Sequence, residues 1–297
     1  MPTLSASPIS LRTAARVSHR LWQQAMSTTV VAGRRSETPW RADFLDHIGQ
    51  LPSPAFSLSS LHRLSDASHA VVPRCRTVIF RGMWAYLPNN PKNPAPRNPL
   101  SLQTDLPVIT TDVRMEKITE LLGSASSSSQ DASSPASGPG GTVEAVFWVP
   151  QTMTQWRIQG HTYVVGPDIE SDAAAPVRAA VGQHMQRNNP DVDLSSWSWT
   201  KELTAHFGNL SPGMRGSFRN PAPGTPITQE PGDGLGLGQE VHDLEDAVAR
   251  GNFRVIIIVP EAVDRVDLSD PNRARRWNYQ AVADGPEPGW KSTELWP

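Results

Sequence analysis

The sequence predicts a mainly β fold with peripheral helices, a small antiparallel barrel rather than a doubly wound sheet. Three observations lead there. Short runs dense in β-branched and aromatic residues recur along the whole chain. The few helical periods between them are short. Strands also do not alternate regularly with helices, as a parallel α/β sheet requires.

Each element follows from its pattern. Trp40, Phe44 and Ile48 fall at i, i+4, i+8, one face of a helix. Residues 56–64 and 71–81 read as strands, and 108–111 as a short one. Asp112 stands where a helix N-cap belongs, and Ile118, Leu121 and Leu122 give the segment after it a helical period. Residues 143–149 and 156–165 are strand-like. Trp199, Leu203 and Phe207 mark a helix over 197–207. Strands over 253–259, 263–268 and 277–282 close the chain.

Hydrophobic residues make up 38% of the 297, below the ~45–50% of an ordinary globular chain. The 28 prolines and 21 glycines account for part of the deficit, because many cluster in three segments read as insertions. Residues 88–99 carry five prolines with no apolar period, a polyproline-like loop or a ligand for an SH3-type partner. Residues 123–141 are rich in Ser, Ala and Gly, a flexible linker. Residues 222–238 are rich in Pro and Gly, and the spacing of Gly234, Gly236 and Gly238 is not that of a dinucleotide-binding loop. The structured domain is therefore expected over 37–297.

Residues 1–36 differ from the rest. They carry Arg12, Arg16, Arg20, Arg34 and Arg35 with no acidic residue, and Leu11, Val17 and Leu21 offer part of an apolar side. This is the composition of a mitochondrial transit peptide; a disordered tail before a later start at Met26 fits it too. Mitochondrial and cytoplasmic locations both stay open. The net charge of −2 provides no general attraction to nucleic acid or an anionic membrane. No apolar run approaches the ~18–20 residues of a membrane span, so a soluble protein is expected. The single cysteine, Cys75, rules out an internal disulfide, and the eight histidines show no metal-ligand spacing.

The densest chemistry is Arg74-Cys-Arg76-Thr-Val-Ile-Phe-Arg81. Unpaired arginines are costly to bury, so three beside one strand suggest an anion held between them. Solvated strand ends are the other reading, and physics alone does not choose. The pattern resembles the strand by which pyridoxamine 5'-phosphate oxidases hold FMN: an arginine, apolar residues, then a basic residue five positions on. Three further elements follow in that family's order. Thr110-Thr111-Asp-Val-Arg114-Met-Glu-Lys117 resembles its second phosphate element, with the same six-residue step from Thr111 to Lys117. Gln155-Trp-Arg-Ile-Gln-Gly160 resembles its flavin-ring segment. Arg275-Arg276-Trp-Asn-Tyr279, followed by Trp290 and Glu294-Leu-Trp-Pro297, resembles its closing strands.

The resemblance implies an FMN-binding split β-barrel, most similar to the branch found in fungi and cyanobacteria. It further implies a homodimer with flavin at the interface. The flavin-contacting residues carried over are Arg76, Thr77, Val78, Ile79, Arg81, Thr110, Thr111, Arg114, Lys117, Gln155 and Arg276. Ser211 is added as a loop residue within reach of the flavin, although a plain turn also explains it. Arg76, Arg81 and Lys117 are expected on the phosphate. Two departures bear on activity. Glu116 replaces the arginine that precedes the lysine in the oxidases, with Arg114 as the substitute. No histidine stands near Arg273–Arg276 to complete their substrate-phosphate pair. The expectation is an FMN-binding protein and flavin-dependent oxidoreductase of unknown substrate. A non-catalytic flavin module and an interaction protein using the proline segment are the alternatives.

Overall fold

The computed structural model describes residues 38–64, 69–125, 137–188, 191, 193–282 and 289–297. The reading of residues 1–36 lies outside the described residues, as does most of the 123–141 linker.

Helix α1 (Arg41–Gly49) leads into strand β1 (Ala55–Arg63), which pairs antiparallel with β2 (Val71–Ile79). A two-residue strand β3 (Leu102–Gln103) and β4 (Val108–Asp112) precede helix α2 (Glu116–Ala125). The long strands β5 (Gly138–Val149) and β6 (Thr154–Val165) form a hairpin. Then come α3 (Ala175–Gly182), β7 (Gln186–Arg187), α4 (Trp199–Gly208), α5 (Pro212–Gly216) and α6 (Ala247–Asn252). Strands β8 (Phe253–Asp267), β9 (Arg275–Val282) and β10 (Gly289–Leu295) end the chain.

The main sheet is antiparallel and runs β10-β9-β8-β6-β5-β1-β2, with β4 also on β8. After β2 the chain continues alongside β4: Arg81 N–H donates to Val108 C=O at 2.9 Å and Val108 N–H to Gly82 C=O at 3.0 Å. These bonds bring the far edge of the sheet back onto β4, which makes the mainly β, split-barrel expectation concrete.

The apolar residues divide into two cores on either side of β4 and β8. Inside the sheet, Leu58, Phe147, Trp156, Ile158, Ile256 and Ile258 pack with Trp40 just before α1, with Phe44 of α1 and with Ile118 and Leu121 of α2. On the other side, Val108, Val255, Ile257 and Val259 pack against Val177 of α3 and against Leu203 and Phe207 of α4. Covered on both faces, residues 255–259 read as a continuous apolar run rather than an alternating one.

Several expectations shift. The two strands predicted at 253–259 and 263–268 are one strand of 15 residues, β8, with a register shift at Pro260–Glu261 instead of a turn. Asp112 is the last residue of β4 and not a helix N-cap, because α2 starts four residues later at Glu116. Helix α2 also takes in Gly123, so the linker begins later than its composition suggests. Residues 88–99 form no helix or strand, yet their amides are tied to α4. Asn93 Nδ2 donates to Ala205 C=O at 2.9 Å, and Asn98 Nδ2 to Glu202 at 2.9 Å and to Ser198 C=O at 2.8 Å.

Gly160 sits at the β6–β8 register shift, where a Cβ would fall 2.0 Å from the Val259 carbonyl oxygen and 2.9 Å from its carbon. Backbone atoms cannot move aside as a flexible side chain does. Gly160→Ala should lower unfolding free energy by about 1–3 kcal/mol, read from the denaturant midpoint. A midpoint equal to wild type would show that the two strands are not this close.

Candidate functional site

The two basic elements meet where β2, the end of β4 and the first turn of α2 converge. A cavity of about 250 Å³ there is lined by Arg76, Met115, Glu116, Lys117, Pro223 and Gly224. Arg76 reaches this place because strand alternation turns it, with Val78, toward the face shared by its partner Leu58. Thr77 points the opposite way and is exposed. Lys117 enters from α2, and its Nζ donates to Thr111 Oγ1 at 2.9 Å. The six-residue step seen in the sequence is thus a direct contact.

The electrostatics fit an anion. Burial and the neighbouring Arg76 guanidinium hold the Lys117 ammonium below its ordinary pKa. The two cations share a half-buried cavity, and Arg76 is already paired with Glu120 there. Glu116 on the rim and Asp112 and Glu120 nearby offset part of this charge. The first turn of α2 borders the same cavity, so the helix terminus stands beside it although it begins at Glu116.

The other predicted residues fall in three places. Arg114 is spent on structure. Its Nε and Nη2 grip Asp112 at 2.9 and 2.6 Å, while Nη1 holds Asn220 C=O at 3.0 Å and Nη2 also reaches Phe218 C=O at 3.3 Å. It therefore fixes the stretch leading to Pro223 and Gly224, and does not take over the role expected of it at Glu116. Arg81 lies with the second core, its Nη2 3.7 Å from Met214 Sδ, and burial lowers its pKa. Ser211 caps α5, its Oγ accepting from Met214 N–H at 3.2 Å, the plain-turn reading. Thr110 neighbours Thr111 but faces the other side of β4.

Gln155 and Arg276 form a separate group. Both register with Val266 of β8, so they line one row across the outward face of the sheet, with Trp148 beside Gln155. Arg276 Nε donates to the buried Asp264 carboxylate at 3.0 Å. This face is the reverse of the one carrying Arg76 and Lys117. Val78 packs on the inner core, and the backbone of Ile79 pairs with Ala55. Among the described residues no cluster of three or more His, Cys, Asp or Glu has metal-binding geometry.

Sequence reasoning missed Ser60 and Glu120, which hold Arg76, and Pro223–Gly224, which wall the cavity. Ser60 left a trace: it follows Phe56 and Leu58 at the inward positions of β1, where a serine is out of place. Pro223 and Gly224 left none, since they arrive from over a hundred residues away.

Comparison with known proteins places this geometry in a class. Residues 37–166 match the family model described as pyridoxamine 5'-phosphate oxidase, FMN-binding domain. That stretch contains β1 to β6 and both cavity cations. An uncharacterized protein of Saccharomyces cerevisiae is 20% identical, covering 87% of this chain and 98% of its own. A solved pyridoxamine 5'-phosphate oxidase-related, FMN-binding protein from Nostoc punctiforme PCC 73102 aligns at a TM-score of 0.51 with 18% identity. That alignment covers 88% of this chain and 99% of the other, and it supports the fold.

A buried histidine beside Arg81 gives a pH dependence. His206 stacks on Trp84 with ring centroids 5.6 Å apart, and its Nε2 is 3.7 Å from Glu202. Burial first, then the Arg81 and Arg97 charges, push its pKa from 6.5 down to about 3. The unfolded chain therefore takes the proton first, so this contribution to stability is full above pH 6.5 and is lost as pH falls toward about 3. His206→Phe keeps the ring on Trp84 and should flatten the stability-against-pH curve across that window; an unchanged slope would assign the dependence to other groups.

Proposed function

We propose that this protein is a homodimeric FMN-binding flavoprotein acting as a flavin-dependent oxidoreductase. The observation that carries the reading is the Arg76–Lys117 cavity, whose two cations lie in a stretch that matches the FMN-binding domain model. A phosphate monoester bears nearly two negative charges, and Arg76 and Lys117 offer charge-assisted donors to it from two different elements. When bound, the flavin supplies the redox chemistry, and the protein supplies orientation and electrostatics. Thr111 fixes the lysine, and Arg114 holds the loop that brings Pro223 and Gly224 to the opposite wall.

The dimer is supported by the division of the site. Arg76 and Lys117 occupy one face of the sheet and the Gln155–Arg276 row the other, so a second copy offering its row to this cavity unites them around one ligand. The outward face suits such a contact, since Trp148 is 44% exposed at the row's edge. Aromatic side chains of this kind are enriched in protein interfaces.

The visible spectrum of the purified protein, with acid release of the chromophore, tests the cofactor. FMN is expected in wild type, and Arg76→Ala with Lys117→Ala should abolish its retention. A double variant that still carries stoichiometric FMN would displace the site. Peroxide formation with pyridoxamine phosphate, and bleaching by a reduced nicotinamide, probe turnover; a flavin inert to every donor favours a non-catalytic module. Sedimentation tests the dimer: Trp148→Glu should yield a folded monomer with weakened flavin binding, whereas a wild-type monomer with full flavin removes the shared site.

A further inference from the structure

Arg76 does not enter the cavity as a free cation. Its Nη1 donates to Ser60 Oγ at 2.6 Å and to Leu58 C=O at 3.3 Å, and its Nη2 donates to Glu120 Oε2. Ser60 in turn donates to the same Glu120 oxygen at 2.5 Å. The Glu120 side chain is 1% exposed and that of Arg76 21% exposed, so the clamp lies inside the wall and the guanidinium at its surface. A guanidinium has five N–H groups. Three are committed here at the Nη1–Nη2 end, which among the described residues leaves Nε–H and the second Nη2–H. Those two form one edge of the fork, the edge that matches a pair of phosphate oxygens.

We propose that Glu120, with Ser60 as relay, is a positioning residue that aims the free edge of Arg76 at the flavin phosphate and so sets the preference for the phosphorylated flavin. This rests on the FMN reading above. Two effects of Glu120 oppose each other at the site. Its negative charge weakens attraction for phosphate, a Coulomb effect moderated by the partly hydrated cavity. Its hydrogen bonds stop Arg76 from swinging among rotamers, and a two-point bond to phosphate depends on that geometry. The clamp's partners come from β1 and α2, both packed in the inner core, so they hold their positions without the ligand. The aiming effect is therefore the larger.

Full-length protein stripped of flavin is titrated with FMN and with riboflavin, following flavin fluorescence. The readout is the ratio of the two affinities, which a general loss of packing leaves unchanged. Glu120→Ala should lower the FMN-to-riboflavin ratio about tenfold, the loss of one charge-assisted bond. Glu120→Gln keeps an acceptor and removes the opposing charge, and should hold the ratio at or above wild type. An unchanged or higher ratio in Glu120→Ala overturns the proposal. So does a ratio in Glu120→Gln as low as that in Glu120→Ala. If Glu120→Ala does not fold, Ser60→Ala is judged by the same criterion, with an expected fall of about threefold. Wild-type protein that binds neither flavin sinks the FMN reading itself, a different outcome from wild type that binds FMN with variants unchanged in ratio.

Discussion

The structure depends on the double burial of β8. Its first half has cores on both faces and strands on both edges, β6 on one side and β4 on the other. No backbone group of a strand so enclosed can turn to water, so each must pair within the sheet. That requirement fixes β4 in register opposite residues 253–257, and β4 fixes where Thr111 ends up. Beyond the register shift at Pro260, the same strand changes partners from β4 to β9, and its outer face opens toward Asp264 and Val266. One strand thereby positions the cavity lysine's anchor at one end and the Arg276 row at the other.

The cavity shows how a weakly acidic chain assembles a cationic site. It concentrates two cations where α2 meets β2 and holds the nearby acids in defined places. Glu120 is buried against Arg76, Asp112 is gripped by Arg114, and Glu116 stays on the rim. These two buried carboxylates, Glu120 and Asp112, thus each have a cationic partner, as the cost of burying a lone charge demands. Lys117 has no carboxylate within salt-bridge distance among the described residues, and burial with the neighbouring Arg76 lowers its pKa.

Strand and helix periods were legible in the sequence because they are local. The alternation in β1, the β-branched density of β2 and the four-residue spacing in α4 each reappear within a residue or two of their expected ends. The single strand β8 was not legible. Pro260 and Glu261 look like a turn, and only the β6 partner, with Gly160 opposite, allows the chain to run through them. The convergence of Arg76, Thr111 and Lys117 on one cavity was legible through spacing on neighbouring elements. The true duties of Arg114 and Ser211 were not, because they depend on backbone from elsewhere or on a turn that sequence alone admits without fixing. The proline segment reads as a polyproline-like loop by composition, yet its asparagines supply amide bonds to α4 that composition does not reveal.

The loop that carries the cavity wall is pinched at its neck. Gly236 N–H donates to the Arg219 carbonyl at 3.1 Å, and the Arg219 guanidinium reaches back to the Gly234 carbonyl at 3.1 Å. Residues between these points, including the fully exposed Ile227, leave and return through almost the same doorway. Joining the ends of such an excursion costs free energy that grows only with the logarithm of its length. Chain can therefore be added to or removed from its tip with little effect on the wall at Pro223 and Gly224. The protein can thus present different surfaces beside its cavity while the cavity itself stays unchanged.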